Sequence, residues 1–384
     1  MLVHDKGQII VPTGGGKTLT MIMDTKRRHE VINNGTTTVV VAPRILLAEQ
    51  LCSEFMEVID KNNSDPYLHV LHCHSGETKY MSTTKAEKIA VYANCARDMG
   101  ENVIIFTTYN SLHRVMEADI EVNTIYFDEA HNSVKRNFFP AVEFFSDDAD
   151  RCYFYTATRK TSVTIAKPGM NDREVYGDII ARVSAPELVD GGYIVAPKVK
   201  VIEMDKVDKK SVTPFLESNN ILASVDELSI NKVLVCAKTT KQLMMLFQTD
   251  FAAQIAKRGY SYLYITSKTG AIVDGKKVTR QEFFDTLNAW GKDANKKFIC
   301  LHRSILSEGI NISQLEGVIF MRNMDTIEMT QSIGRVLRLA QNKTFGFCCV
   351  PVYSQVGVST ARALQTCVDV IFEKGEMLDS VVRR

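Results

Sequence analysis

The sequence predicts an α/β protein made of two doubly wound parallel sheets in tandem, and three observations carry that prediction. Short, nearly all-apolar, β-branched runs alternate with longer helical patterns along the whole chain, as parallel strands covered by helices on both faces require. The alternation starts afresh after a turn-rich stretch, Asp190-Gly191-Gly192-Tyr193 followed by Ala196-Pro197, which sets a boundary near residue 195 and domains at 1–195 and 196–384. The 384 residues suffice for two cores of ordinary size.

In the first half the expected strands are Gln8–Val11, Thr37–Ala42, Leu68–Leu71, Val103–Phe106, Thr124–Phe127 and Cys152–Tyr155. Helical patterns cover Lys17–Asn33, stopped by Gly35, and Arg44–Asp60. The second half repeats the scheme with strands at Val199–Ile202, Lys232–Cys236, Tyr262–Ile265, Phe298–His302, Gly317–Met321 and Phe345–Val350. Its helices are expected over Thr239–Arg258, Arg280–Trp290 and Met329–Leu339. Two such sheets in one chain suggest a nucleotide held between them.

Composition sets the class. A hydrophobic content of 45% and a charged content of 24% are those of a soluble globular protein. No apolar run reaches membrane-spanning length, so no membrane partner is expected, and the opening MLVHDKGQ lacks signal-peptide anatomy. Nine cysteines, an odd number without CxxC spacing, argue against a disulfide framework and a zinc ribbon. Adjacent Cys348 and Cys349 read as buried strand residues, and the expected setting is a reducing, cytoplasmic one. With a net charge of +1, a nucleic-acid surface would have to be a local groove rather than a global field.

The stretch Val11-Pro12-Thr13-Gly14-Gly15-Gly16-Lys17-Thr18 lies between an apolar run and a helical segment. There the N–H groups of Gly14, Gly15 and Gly16 can curl round a phosphate, glycine being required because a side chain would hold the anion off. Lys17 would reach the terminal phosphates and the Thr18 hydroxyl a magnesium ion, with the positive end of the helix dipole behind them. Val11 stands where the strict pattern has glycine. Downstream, Asp128 and Glu129 end the apolar run Thr124–Phe127, and unpaired carboxylates resist burial. A metal supplies the reason: Asp128 would hold the Thr18-bound Mg2+ through a water, and Glu129 would polarise the water that attacks the γ-phosphate of ATP. A helix N-cap is the plainer reading of the acids taken alone.

In the second half, Gln331-Ser332-Ile333-Gly334-Arg335-Val336-Leu337-Arg338 sets two guanidinium groups three residues apart, on one face if the segment is helical, with Gln331 one turn earlier. Arg335 and Arg338 could clamp the γ-phosphate and its transition-state charge. A solvated basic helix face is the alternative.

These segments together resemble the motifs of superfamily 2 helicases and translocases over nearly the whole chain. PTGGGKT is similar to motif I, APRILLAEQ (Ala42–Gln50) to motif Ia, TTYNSL (Thr107–Leu112) to motif Ib, DEAH (Asp128–His131) to motif II, and Thr156-Ala157-Thr158 to motif III. In the second half VCAKTTKQ (Val235–Gln242) resembles motif IV, LSEGINI (Leu306–Ile312) motif V and QSIGRVLR motif VI. The stretches YGDIIARVSAPELVDGGYIVAP and LRLAQNKTFGFCCVPV resemble the restriction-type branch of DEAD/DEAH helicases, which includes phage and viral members, and a viral member would work in a host-cell compartment. The resemblance implies two RecA-like domains, with ATP and Mg2+ in the cleft between them. It implies that Arg44, Ser75, Gly76, Thr107 and Thr108 contact a nucleic-acid backbone, since hydroxyls and amides bind phosphate without reading sequence. It further implies that Thr156 and Thr158 couple the nucleotide site to the second domain, and that Gly309 and Asn311 approach the nucleotide from there.

Two departures stand out. Motif V usually carries Asp and later Pro, where this chain has Asn311 and Ser313, which loosens the expected ribose contact. Only eleven residues precede Pro12, so the adenine-recognising glutamine motif is expected to be missing, with base recognition weak, supplied by another polypeptide, or lost in a truncated form. His72-Cys73-His74 lacks matching ligands nearby and reads as a strand end near the nucleic-acid face. No nuclease, methyltransferase or zinc-finger signature is left over, so cleavage or targeting would fall to a partner protein. The expected activity is a nucleic-acid-stimulated ATPase moving along DNA. An RNA helicase and a non-hydrolysing nucleic-acid-binding module are the alternatives, while a metabolic kinase would not need the second domain.

Overall fold

A computed structural model of the chain describes residues 3–31, 35–62, 65–76, 78–164, 166–205, 212–266, 268–303, 312, 314–340 and 343–382. It divides into two units: Met1–Pro12, Gly16–Val183 and Asp379–Arg384 form one, and Thr13–Gly15 with Ser184–Leu378 form the other. The chain therefore leaves the first unit between Val183 and Ser184, before the expected position near residue 195, and comes back to it at Asp379.

The first unit is built on β1 (Lys6–Ile10), β2 (Thr37–Ala42), β3 (Leu68–Cys73), β4 (Met81–Ser82), β5 (Asn102–Thr108), β6 (Thr124–Phe127), β7 (Cys152–Thr156), β8 (Lys160–Thr161) and β9 (Ile179–Arg182). All but β8 join one sheet in the order β4-β3-β5-β2-β6-β7-β1-β9. Every pairing in it is parallel. The central strands β2 and β6 are buried at every position, which explains their unbroken apolar character. Alternate residues face two separate cores: Val39, Val41, Ile125 and Phe127 pack on one side, Val40, Tyr126 and Tyr155 on the other.

The second unit repeats the plan with β10 (Ala196–Glu203), β11 (Lys232–Cys236), β12 (Ser261–Thr266), β13 (Gly270–Val273), β14 (Lys276–Val278), β15 (Phe298–His302), β16 (Gly317–Phe320) and β17 (Phe345–Val352). Their order is β10-β17-β16-β11-β15-β12-β13-β14, parallel as far as β12. The last two strands are an antiparallel hairpin hung on β12, turned at Asp274 (φ 43) and Gly275 (φ 79), left-handed backbone at both positions as a tight two-residue turn requires. A final strand, β18 (Ser380–Val381), pairs with β8 in the first unit.

Two helices differ from expectation. The pattern over Thr239–Arg258 is two helices, Thr240–Leu246 and Phe251–Lys257. Thr249 interrupts it: its hydroxyl donates to the Leu246 carbonyl (2.6 Å) and accepts from the Phe251 amide (3.2 Å), offering the backbone a local alternative to the helix. The helix expected over Met329–Leu339 runs from Thr326 to Val336, started by Asp325, whose carboxylate accepts from the Glu328 amide (2.8 Å). All nine cysteines are free thiols, eight of them buried. Among the described residues no helix is long and apolar enough to cross a membrane.

Candidate functional site

β1 of the first unit runs into buried Val11 and Pro12; Thr13–Gly15, which group with the second unit, follow, and Gly16 leads into the first unit's helix Lys17–Val31. Gly14 (φ 88) and Gly16 (φ 85) hold left-handed backbone. A Cβ on Gly16 would meet nothing within 4 Å, so that glycine is required by conformation, not by crowding. Among the described residues, the N–H groups of Gly14, Gly15 and Gly16 donate to no backbone carbonyl. Lys17 folds back over this turn, its Nζ donating to the Val11 carbonyl at 3.3 Å. Thr18 is half-buried at the start of the helix.

The acidic pair sits at the end of β6, between β2 and β7. The Asp128 amide extends the β2 ladder by donating to the Val41 carbonyl (2.9 Å), and the Tyr109 hydroxyl donates to the Asp128 carbonyl (2.9 Å). Glu129 then takes left-handed backbone (φ 47), costly for a residue with a side chain and a conformation that collects at functional sites. Asp128 and Glu129 are 6% and 5% exposed. Burial first, then the charge of Glu129, push the Asp128 carboxyl up to about 7, and Lys17 pulls it the other way. Lys17, which follows the glycine-rich turn, and the acidic strand end therefore converge. Glu54, from the helix Ile45–Ile59, adds a third nearby carboxylate that the sequence did not single out. Asp128 forms no ion pair among the described residues, and a buried carboxylate with a second acid beside it is an oxygen donor of the kind a hard divalent cation takes.

Behind the acids lies a hydrogen-bonded chain. His131 Nδ1 is 3.5 Å from Glu129 Oε2 and 3.2 Å from Thr156 Oγ1, and the Thr156 hydroxyl donates to the Thr158 carbonyl (2.9 Å). The Asn132 amide donates to His131 Nε2 at 3.2 Å, so the ring's proton is on Nδ1 in its neutral form. Asn132 is itself held by Lys135, whose Nζ donates to Asn132 Oδ1 (2.7 Å). Thr156 and Thr158 are thus tied to Glu129 through His131, a bridge whose only sequence signal was the last letter of DEAH.

The residues expected on a nucleic-acid backbone are not all placed alike. Arg44 directly precedes the helix Ile45–Ile59, and Ser75 is exposed. Gly76 lies against that helix start: a Cβ there would come within 2.7 Å of Ile45 Cγ2, a close approach that glycine allows. Thr107 is fully buried, its hydroxyl donating to the Cys73 carbonyl (3.0 Å), and Thr108, 3% exposed, has its hydroxyl 3.4 Å from Ser111 Oγ. His72 and His74 form a buried pair, Nδ1 to Nε2 at 2.9 Å, with Gly76 N–H donating to His74 Nδ1 (3.2 Å). Among the described residues no group of three or more His, Cys, Asp and Glu side chains is gathered as a metal cluster, and His72 and His74 are not part of one.

In the second unit, Gln331 and Arg335 lie on the helix Thr326–Val336, 4% and 3% exposed. Gln331 Nε2 is buried without a hydrogen-bond partner, an orphaned donor. Arg335 approaches the carboxyl ends of β11 and β15: its charge, with those of Arg322 and Arg303, acts after burial to hold His302 down to about 3. His302 Nε2 is 3.4 Å from Cys236 Sγ. Arg322, another residue the sequence did not flag, donates to Glu328 Oε2 (2.7 Å) and the Arg303 carbonyl (3.1 Å), pinning this helix to the end of β15. Arg338 departs from the expected shared helix face. The helix ends at Val336, and Arg338 forms an antiparallel bridge with Ile194, with Val195 N–H donating to the Leu337 carbonyl (2.8 Å). Gly309 and Asn311 lie outside the described residues.

Buried neutral histidines set an acid limit on stability. His29 and His72 are held down to about 4 and His302 to about 3, in each case by burial first. The unfolded chain takes up these protons near 6.5, so stability is full above that pH and falls as pH drops from about 6.5 towards 4, by about 1.4 kcal/mol per pH unit for each histidine. Urea midpoints are expected to fall clearly between pH 7 and pH 5, and His72→Gln to flatten that fall; a midpoint unchanged by pH would contradict it.

Comparison with known proteins places these features in a family. The type III restriction enzyme, res subunit, family matches residues 3–160, and the helicase conserved C-terminal domain matches residues 217–340. No curated protein sequence matches the chain. Its fold is similar to the ATP-dependent Type ISP restriction-modification enzyme LlaBIII bound to DNA, with a TM-score of 0.74, 16% identity, and coverage of 99% of this chain and 30% of that one. A nuclease-deletion mutant of the Type ISP enzyme LlaGI, in complex with a DNA substrate mimic, gives 0.67 at 17% identity over 95% of this chain and 27% of that one. Dbp5 of S. cerevisiae, bound to RNA and ADP BeF3, gives 0.62 at 15% identity over 99% of this chain and 87% of that one. The chain spans less than a third of the length of the two restriction enzymes. The glycine-rich turn, the buried acids, the tandem parallel sheets and both family matches lead to one conclusion: this chain belongs to the superfamily 2 helicases, in the restriction-enzyme-type branch.

Proposed function

We propose that this chain hydrolyses ATP to drive movement along nucleic acid, DNA rather than RNA. The convergence of Lys17 with Asp128 and Glu129 carries the reading, because two buried acids beside a phosphate-type turn have no structural use without a cation and an anion to complete the charge balance. Pro12–Gly16 cradle the phosphates and Lys17 neutralises them; Thr18 and Asp128 hold Mg2+, which when bound polarises the phosphoryl group and shields its charge. Glu129 orients the attacking water, with His131 holding its carboxylate. Gln331, Arg335 and Arg338 act on the same phosphates from the second RecA-like domain, and Gly309 and Asn311 belong to that side. Arg44, Ser75 and Gly76 grip the nucleic-acid backbone, Thr107 and Thr108 shaping that grip from beneath, and Thr156 and Thr158 couple the grip to hydrolysis. The functional domains are 1–195 and 196–384, and a partner protein supplies nuclease or targeting functions.

The better structural agreement with the two DNA-bound restriction enzymes than with the RNA-bound protein supports DNA over RNA. The test is ATP turnover measured with duplex DNA, single-stranded DNA and RNA, using Glu129→Gln as the inactive control. DNA is expected to accelerate turnover. Acceleration by RNA alone would move the reading to an RNA helicase, and turnover no higher than that of the control would make the chain a binding module.

A further inference from the structure

The return of the chain to its first unit is not required by the fold of either sheet. Residues 379–382 dock directly after the Thr156-Ala157-Thr158 segment. Ser380 N–H donates to the Arg159 carbonyl and Val382 N–H to the Thr161 carbonyl, each at 2.9 Å, making β18 a parallel partner of β8. Arg159 grips Asp379 with two hydrogen bonds, Nε to Oδ1 at 3.2 Å and Nη2 to Oδ2 at 2.5 Å, with side chains only 18% and 26% exposed. Val382 packs against the core that contains Phe127, Ala130 and Phe154.

The same strap is anchored at its other end, within the second unit. Gly375 (φ 67) lies against the segment where the chain first enters that unit: a Cβ there would be 3.1 Å from Ser184 Cβ and 3.3 Å from Pro186 Cδ. The two crossings of the polypeptide, at 183/184 and 378/379, are thus held together on the second unit's side. On the first unit's side, the returning strand ends on Arg159–Thr161, next to the threonines that are hydrogen-bonded through His131 towards Glu129. A displacement at the double crossing must act on that strand, and Arg159 is the side chain that grips it.

We propose that the Arg159–Asp379 ion pair is a positioning contact that passes displacement of the double crossing to Thr156 and Thr158, and so sets how strongly nucleic acid accelerates ATP turnover. This rests on the motor reading above. A bidentate guanidinium–carboxylate pair suits the role because it fixes orientation as well as distance. Neither residue touches the reacting atoms.

The test compares the full chain with Asp379→Arg, Arg159→Asp and the double exchange, measuring ATP turnover with and without DNA. Each single variant is expected to keep basal turnover but to lose about fivefold of the accelerated rate, the low end of ordinary coupling between sites, and the double exchange to restore it. If a single variant does not fold, Asp379→Asn, which keeps shape and backbone pairing, is expected to lower the accelerated-to-basal ratio in the same direction. Single variants with the unaltered ratio would overturn the proposal. So would basal and accelerated rates falling in step, the mark of a merely structural contact. Absence of acceleration in the unaltered chain is a different result: it defeats the motor reading itself.

Discussion

Replacing Lys17 by alanine is expected to abolish ATP turnover, by at least about 10²–10³-fold, while the chain stays folded and still binds nucleic acid. The side chain is half-buried, and among the described residues its ammonium donates to the carbonyl of Val11 in its own turn alone, so little packing is lost with it. What disappears is the positive charge facing Asp128. Without it the Asp128 carboxyl moves further up from its already raised position, since Lys17 is the chief charge holding it down. Two penalties follow from one substitution: the phosphates lose a counter-charge, and the acid meant to hold the cation becomes harder to ionise. Lys17→Arg keeps the charge but not its compactness, and is expected to recover nucleotide binding more than turnover. Full turnover in Lys17→Ala would remove the assigned site.

Arg335→Ala is expected to lower turnover about 10³-fold with nucleotide binding largely kept, because a guanidinium at a transferring phosphoryl group acts chiefly in the transition state. The substitution also removes a positive charge that His302 and Cys236 feel. The His302 imidazole would then titrate at higher pH, giving a nuclear magnetic resonance signature independent of activity. Arg335→Lys separates charge from geometry: a point charge restores the electrostatics around His302 but not a planar, two-pronged grip, so the imidazole should return towards its original titration while turnover stays low. Turnover near that of the unaltered chain in Arg335→Ala would show that this residue has no part in the chemistry.

The sequence was most legible where periodicity and local chemistry agreed. Runs such as Thr37–Ala42, Thr124–Phe127 and Phe298–His302 are strands with the expected limits, because a strand buried on both faces has to be apolar throughout. The glycine-rich turn and the acidic pair stood out because three successive glycines and two acids closing an apolar run are uncommon patterns. Less legible were features decided by distant contacts. Thr107 looked like a surface hydroxyl but has its partner in Cys73, on the neighbouring strand. Nothing local in Asp379–Val382 announces a strand, since its pairing partner lies more than two hundred residues away. Arg338 left its expected helix because Ile194, far upstream, supplies an extended partner. The hairpin at Gly270–Val278 was readable from its Asp-Gly turn and was passed over.

That hairpin has a bearing on solubility. An open sheet ends in a row of unsatisfied backbone donors and acceptors that can recruit another chain. Here the far border of the second sheet is a strand of three residues, Lys276–Val278, opening with two exposed lysines, while one border of the first sheet is the two-residue Met81–Ser82. At these two of the four sheet margins a passing strand finds almost nothing to zip onto, so stacking into fibres is blunted there, and the eight-residue border strand Ala196–Glu203 is left as the longer open edge.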